Sequence, residues 1–153
     1  MKIFYRNFLI LFLLLFVSVD GFSQAIYPRN YFRSPLEMRL LLSGTFGELR
    51  SNHFHSGIDI KTAGTEGAPV YAIADGYVSR IKVSAYGFGK VLYVTHPNGF
   101  VSVYAHLSKF SRIIGDHVKG EQYRRELFEI ELFPEESRFP VKKGDIIAYS
   151  GNS

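Results

Sequence analysis

The sequence contains no cysteine and no tryptophan among its 153 residues. Without cysteine the chain cannot form a disulfide scaffold, a zinc ribbon, an iron–sulfur cluster or a thiol nucleophile. Any metal site must therefore be built from His, Asp or Glu side chains. An excess of one charge is also missing, since the formal net charge of +4 is mild and spread along the chain. This balance does not indicate a nucleic-acid-binding protein.

Long hydrophobic runs are missing too, because the one clear apolar run, Phe8–Val19, has only twelve residues. A bilayer span needs ~20 residues. Basic residues precede the run and small residues follow it, so residues 1–23 are predicted to be a signal peptide, cleaved after Ser23 or after Gln24. The alternative is an uncleaved anchor, which would be the chain's only membrane contact. Both interpretations predict export from the cytoplasm, to the periplasm or cell envelope, with secretion from the cell as the alternative.

The remaining length suits a single domain. Residues 24–40 are expected to be a lead-in that packs on the domain edge. After them, short apolar segments alternate with glycine-containing turns, which predicts a mostly-β fold of antiparallel strands closed into a sandwich or barrel. Two hairpins are predicted, one turning at Asp75-Gly76 and one at residues 97–99, each pairing the strands on its two sides.

Residues 111–139 interrupt this pattern and are predicted to be a helical insertion between strands. Within them, the charged stretch Val118–Phe133 is long enough for a helix. Its apolar residues Tyr123, Leu127 and Ile130 follow an i, i+4, i+7 spacing, which predicts one buried stripe.

Residues 53–59 carry the most informative side chains. His55 offers an imidazole nitrogen and Asp59 a carboxylate oxygen, both of which are zinc ligands. On a straight strand, residues four apart lie ~13 Å apart, which is too far for one metal ion. A bend at Gly57 would bring the two side chains together. The spacing alone does not separate a metal site from an unrelated pair, which is the commoner case by chance.

The other histidines are assigned from their surroundings in the sequence. His106 follows a predicted strand and could serve as a general base or stabilise a developing oxyanion. A half-buried histidine bonded to a backbone carbonyl is an equal alternative. His96 is expected to be solvated in a turn and His117 to lie on the surface. His53 lies two residues before the candidate ligand His55 and would at most contact that ligand, without binding the metal itself.

Six segments together carry a more specific signal than any one of them. They are Gly44–Arg50 (GTFGELR), His53–Asp59 (HFHSGID), Gly67–Ala72 (GAPVYA), Ala74–Gly76 (ADG), Tyr104–Leu107 (YAHL) and Val141–Ala148 (VKKGDIIA). In this order they resemble the lysostaphin-type (LytM-like) zinc metallopeptidases, over residues 41–109 and 140–153. The resemblance implies the duplicated hybrid motif, an antiparallel β-sandwich or barrel, for a domain at residues 41–153.

The resemblance also implies an activity and a set of site residues. Members of this family are usually zinc endopeptidases that cut peptide cross-links or stems in bacterial peptidoglycan outside the cytoplasm. By their positions in the motifs, His55 and Asp59 would be ligands of a Zn²⁺ ion, and His106 would be a catalytic histidine. The implied partners are therefore peptidoglycan peptides, with no nucleic acid.

The chain departs from the family pattern at its C-terminal end. Members continue beyond the Gly-Asn-Ser position into a strand with a His-x-His pair, which provides the third zinc ligand and a second catalytic histidine. The sequence ends at Ser153, and no other histidine has a spacing that would replace the pair. We therefore expect an N-terminal part of a longer zinc peptidase, incomplete at its last strands and inactive by itself.

Two other functions fit parts of the sequence. A non-catalytic domain of the same fold would bind cell wall or activate a wall amidase, but the presence of His55, Asp59 and His106 together argues against it. A biotinyl- or lipoyl-type carrier needs an exposed lysine on a tight hairpin, and Asp75-Gly76 is not such a turn.

Overall fold

The computed structural model describes residues 29–151 and has a mostly-β fold, as the sequence predicts. Nine strands and one helix lie within these residues. In chain order they are β1 Leu42–Gly44, β2 Asp59–Ile60, β3 Pro69–Tyr71, β4 Gly76–Val83, β5 Lys90–Thr95, β6 Val101–Phe110, α1 Arg112–Arg125, β7 Ile130–Leu132, β8 Pro140–Val141 and β9 Ile146–Ser150.

The strands form two antiparallel sheets. Strands β1 and β2 pair with each other. The other seven form one sheet in the order β3-β9-β6-β5-β4-β7, with β8 also paired to β4. This sheet curls around a core of aliphatic and aromatic side chains, among which Ile81, Leu92 and Ile147 are almost completely buried. Burial of such apolar surface is the main favourable contribution to folding.

Bulges in the long strands change which side chains face the core. In β4, Ser79 is an extra residue opposite β5, so the buried positions are Val78, Ile81 and Val83 rather than a strict alternation. In β6, the pairing with β5 contains one extra residue between Tyr104 and Leu107. Each bulge shifts the following side chains to the other face of the sheet.

The lead-in segment packs against the sheet over its described part, residues 29–40. The Tyr71 N–H donates to the Pro35 carbonyl and the Arg33 N–H to the Ile73 carbonyl, both at 2.9 Å. Leu36 is buried in the core. Residues 1–28 lie outside the described residues, and with them the predicted signal peptide. No helix within residues 29–151 is long and apolar enough to cross a membrane.

The helix lies inside the predicted insertion but is displaced from the expected Val118–Phe133. It buries Ile114 and Val118, while Tyr123 and Leu127 are exposed and Ile130 belongs to β7. The prediction that Tyr123, Leu127 and Ile130 form one buried stripe of the helix was therefore wrong. Glu126 ends the helix in a left-handed conformation at φ 54°. Glycine usually takes this position, so the sequence carries no stop signal there.

The hairpin at residues 97–99 is confirmed. Strands β5 and β6 pair across it, and Gly99 has φ 84°. The predicted hairpin at Asp75-Gly76 is wrong, because β3 pairs with β9 while β4 pairs with β5, β7 and β8. Asp75 instead bridges to the turn before β9. Its carboxylate accepts the Lys143 backbone N–H at 2.8 Å and the Lys142 ammonium at 3.0 Å.

His96 also differs from its expected position, since it is 2% exposed rather than solvated. Its Nδ1 donates to the Asp75 carbonyl at 2.7 Å, and its Nε2 lies 2.9 Å from the Ser102 hydroxyl oxygen. The Ser102 oxygen lies 3.0 Å from the Tyr104 hydroxyl, whose pKa is raised by burial. A histidine in a polar turn was buried because the lead-in residue Phe32 covers it, ring against ring at 5.6 Å.

The bridge made by Asp75 predicts a pH-dependent stability. Its pKa is lowered from 3.8, first by the Lys143 N–H and then by Lys142. A carboxyl group with a lowered folded pKa stabilises the fold above its unfolded pKa, and this contribution is lost as pH falls through the folded pKa. Asp75→Asn is expected to lower the melting temperature at pH 7, with the difference from the wild type shrinking below pH 3.8.

Thermal unfolding, followed by circular dichroism at pH 7 and at a pH below 3.8, measures this difference in melting temperature. The control is Asp116→Asn, which removes a carboxylate on the helix surface whose nearest cation is 3.8 Å away. Its melting temperature should stay close to that of the wild type. A difference for Asp75→Asn that is equally large at both pH values would contradict the assignment.

Candidate functional site

A short hairpin between β1 and β2 carries the predicted metal ligands. The His55 N–H donates to the Glu48 carbonyl, and the Gly47 N–H donates to the His55 carbonyl, each at 2.8 Å. Leu49 pairs with Phe54 farther along the same hairpin. His55 is thus fixed by its backbone on one side of the hairpin, and Asp59 begins the strand that follows.

The structure brings the side chains of His55 and Asp59 together. Nε2 of His55 lies 3.2 Å from Oδ1 of Asp59. The chain bends between them at Gly57, as the sequence predicts, although Gly57 does not use a left-handed φ. Two ligands bound at ~2.1 Å to a tetrahedral ion lie about 3.4 Å apart. The observed separation therefore fits two neighbouring ligands of one zinc ion.

The second ring nitrogen of His55 supports the same assignment. Nδ1 lies 3.0 Å from the Thr45 carbonyl oxygen, which can only accept, so Nδ1 carries the hydrogen. The lone pair of neutral His55 is then on Nε2 and points at the Asp59 carboxylate. Two such acceptors at 3.2 Å require a positive charge between them, either a proton or a metal ion. Metal-binding histidines typically donate their other N–H to a backbone carbonyl in this way.

Arg50 holds the other side of the Asp59 carboxylate. Its Nη2 donates to Oδ2 of Asp59 at 2.7 Å and lies 3.6 Å from Glu48 Oε2. Gly44 lies opposite Asp59 in the β1–β2 ladder. A Cβ atom at residue 44 would lie 2.4 Å from both Arg50 Nη2 and Asp59 Oδ2. The ion pair therefore occupies space that a side chain at residue 44 would need.

The described residues bring together two of the predicted ligands. Within residues 29–151, no group of three His, Asp or Glu side chains could hold a metal ion. His53 is exposed and its Nδ1 contacts Asn52 Oδ1 at 2.6 Å. His117 is half-buried and packs on Phe139, with ring centroids 5.3 Å apart, so it is less exposed than expected.

His106 occupies the bulge in β6, with the expected strand continuing past it to Phe110. Its φ of 52° is left-handed, which costs a residue with a side chain ~1–2 kcal/mol. The backbone is held on both sides, because the His106 N–H donates to the Phe88 carbonyl and its carbonyl accepts the Gly151 N–H. A Cβ at residue 151 would lie 2.5 Å from the His106 oxygen. Strain of this kind concentrates at functional sites.

The exposed His106 side chain lines a cleft of about 230 Å³. His55 and Asp59 do not line this cleft. The other lining residues come from the β2–β3 loop, from β4, β5 and the turn between them, from β6, from the insertion and from the residue after β9; they are Glu66, Val83, Ser84, Gly89, Lys90, Leu107, Ser108, Phe128 and Gly151. The cleft thus combines a histidine, one charge of each sign and an aromatic wall.

The insertion provides that wall through Phe128. The loop that carries it is fastened at two points. The Gln122 amide donates to the Phe128 carbonyl, and the Glu129 carboxylate accepts the Ala85 backbone N–H at 2.7 Å. The insertion is therefore joined to the β4–β5 turn next to His106.

Sequence reasoning did not assign roles to Arg50, Gly44, Gly151 or Phe128. Arg50 and Gly44 lie in one of the six recognised segments, but their contact with Asp59 depends on strand register. Glycines at residues 44 and 151 permit close approach, which a sequence does not distinguish from a turn. Phe128 was assigned to a helix, which obscured its place in a loop.

Comparison with known proteins bears on these residues. Residues 53–123 match the family model described as Peptidase family M23. The DD-carboxypeptidase/endopeptidase Mpg of Neisseria meningitidis is 40% identical over 73 residues, which cover 48% of this chain and 16% of that protein. An uncharacterized metalloprotease of Haemophilus influenzae is 30% identical over 131 residues, covering 82% of this chain and 22% of that protein.

The chain thus spans about a fifth or less of the length of these two relatives. No solved structure matches it significantly. The sequence matches confirm the resemblance drawn from the motifs: residues 53–123, which contain His55, Asp59 and His106, match the model of peptidase family M23.

Proposed function

We propose that this chain is part of a zinc metalloendopeptidase of the peptidoglycan-hydrolase type, which cleaves peptide bonds in cell-wall cross-links or stems. The observation that carries the proposal is the 3.2 Å approach of His55 Nε2 to Asp59 Oδ1, with Nδ1 bound to a carbonyl. The family match supports it, as do the words endopeptidase and metalloprotease in the names of the relatives.

His55 and Asp59 would hold the zinc ion. A bound zinc ion supplies Lewis acidity, which makes a peptide carbonyl more electrophilic and a water molecule more acidic. Catalytic zinc normally has three protein ligands. Because residues 29–151 provide a pair and no third member, the remaining ligand would come from polypeptide outside these residues.

His106 would transfer protons or steady negative charge at the scissile bond. The bonds to Phe88 and Gly151 fix its backbone, and its side chain remains in the cleft with one ring edge towards Phe88, 6.2 Å between centroids. A neutral imidazole can accept a proton at one nitrogen and donate at the other. The fixed backbone orients the ring before substrate arrives, which reduces the ordering cost of the reaction.

Phe128 and Lys90 would contact the substrate on either side of His106. The aromatic ring offers apolar surface to a peptide, and the ammonium group suits a carboxylate.

The predicted signal peptide at residues 1–23 supports export to the periplasm or cell envelope, where peptidoglycan lies. The insertion at residues 111–139 would then shape the substrate groove.

The metal pair is tested by zinc binding to the 153-residue chain, measured by competition with a chromogenic chelator. His55→Ala and Asp59→Ala each leave one ligand. Both should weaken binding by more than the ~10–100-fold typical of losing a supporting residue. The control His53→Ala removes an exposed histidine of the same hairpin and should bind as the wild type does. Equal affinity in all four proteins would favour the alternative, a non-catalytic domain that binds cell wall or activates an amidase.

The role of His106 is tested by separating metal content from turnover. In a form of the protein that cleaves peptidoglycan peptides, His106→Ala should retain stoichiometric zinc and lose ~10²–10⁴-fold in kcat, the usual contribution of general acid–base catalysis. Metal analysis and peptide hydrolysis measure the two properties. Loss of zinc together with activity would mean that His106 is a ligand.

The aromatic wall is tested with a matched pair of phenylalanines. Phe128 and Phe133 are 68% and 70% exposed, but Phe128 lines the His106 cleft and Phe133 does not. Phe128→Ala should raise KM for peptide substrates several-fold, since it removes apolar contact area. Phe133→Ala should leave KM unchanged. An equal change in both variants would show that the cleft does not receive the substrate.

A further inference from the structure

The two oxygens of the Asp59 carboxylate are divided between two partners. Oδ1 faces His55 Nε2 at 3.2 Å, and Oδ2 accepts from Arg50 Nη2 at 2.7 Å. We propose that Arg50 is a positioning residue that restricts Asp59 to a single oxygen for the metal ion, and that Gly44 is required so that this ion pair can form. The inference rests on the proposed zinc-binding function.

The Arg50–Asp59 contact has the short length of a charge-assisted hydrogen bond. With Oδ2 engaged, the carboxylate presents Oδ1 alone towards His55. Without Arg50 the group could rotate, or offer both oxygens to one ion. A one-oxygen carboxylate suits a small tetrahedral ion such as zinc, whereas larger ions such as calcium often take a carboxylate through both oxygens.

The Asp59 carboxylate is nearer to the Arg50 side chain than that of Glu48, since Nη2 lies 2.7 Å from Asp59 Oδ2 and 3.6 Å from Glu48 Oε2. Its backbone N–H donates to the His53 carbonyl at 2.9 Å. Its side-chain Nε is buried and lacks a hydrogen-bond partner among the described residues. Nη2 also lies 3.4 Å from His55 Nδ1, but Nδ1 carries a hydrogen directed at Thr45 and cannot accept. The guanidinium group is thus placed against Asp59.

Gly44 leaves room for the Arg50–Asp59 contact because it has no side chain. It does not have a positive φ, so its conformation is open to any residue. A Cβ there would lie 2.4 Å from both atoms of the ion pair, and separations under 3.0 Å do not occur without a shift. In Gly44→Ala the side chains of Arg50 and Asp59 must therefore shift from these positions, while every charge in the site stays unchanged.

Two effects of Arg50 on a divalent cation oppose each other. Its positive charge neutralises Asp59 and repels the ion, so removing it would strengthen binding by Coulomb attraction alone. Its orientation of the carboxylate favours binding, so removing it would weaken binding. The proposal requires the orienting effect to be the larger one, so removing Arg50 must lower the affinity for the divalent cation.

The test measures Zn²⁺ affinity of the 153-residue chain by chelator competition. Arg50→Gln and Gly44→Ala should each weaken binding ~10–100-fold, the usual loss when a residue supporting a ligand is changed. The double variant should bind no more weakly than either single variant, because both remove the same contact. Arg50→Lys, which keeps a cation able to bond Oδ2, should recover most of the affinity.

The matched control is Arg80→Gln. Arg80 pairs with Glu131 on the main sheet, and its side chain is 34% exposed against 36% for Arg50. Its loss should leave Zn²⁺ affinity unchanged. Circular dichroism checks the fold of each variant, and Gly44→Ala carries the test by itself if Arg50→Gln does not fold.

The visible absorption of Co²⁺ bound in place of Zn²⁺ gives a second measurement. Tetrahedral Co²⁺ absorbs more strongly than Co²⁺ with a higher coordination number, so a freed Oδ2 should reduce the absorption per bound ion in Arg50→Gln. Unchanged or tighter Zn²⁺ binding in Arg50→Gln and Gly44→Ala would overturn the inference. If His55→Ala also binds Zn²⁺ normally, the proposed function fails; if only His55→Ala weakens binding, this inference alone fails.

Discussion

The site depends on the pairing of β1 with β2, which sets Gly44 opposite Asp59. This register places one carboxylate between an imidazole and a guanidinium, with Oδ1 towards His55 and Oδ2 towards Arg50. The facing residue, Gly44, has no side chain and so leaves room for both contacts. A shift of one residue in this two-stranded sheet would direct Asp59 to the opposite face and separate the three groups.

In the main sheet, bulges determine which way side chains face, as strand register does in the β1–β2 sheet. An extra residue in β6 gives His106 a left-handed backbone and exposes its side chain in a cleft, while Tyr104, Leu107 and Phe110 are buried at every third position. The close contact with Gly151 holds the bulge in place. Backbone strain and irregular burial in a strand reduce the stability of the fold. Here both occur at His106, which lies in one of the family motifs.

Local chemistry explains which elements were predictable. The turn at residues 97–99 was correctly predicted because Gly99 meets a local need for positive φ. Asp75-Gly76 has similar local chemistry, yet its strands pair elsewhere and Asp75 bonds to Lys143. The end of the helix at Glu126 and the burial of His96 had no local signal, since each depends on contacts with distant parts of the chain.

The sequence by itself determined the mostly-β class and the resemblance to a peptidase family, because residue types and the order of short motifs encode these properties directly. It left the approach of His55 to Asp59 across a bend as an expectation, and the structure shows the two side chains 3.2 Å apart. The tertiary structure decided that Arg50 and Gly44 belong to the same site, and that Phe128 joins His106 in one cleft. These associations arise from strand register and from loop contacts such as that of Ala85 with Glu129. A motif does not record strand register or loop contacts, even where it contains the residues, as Gly44–Arg50 does.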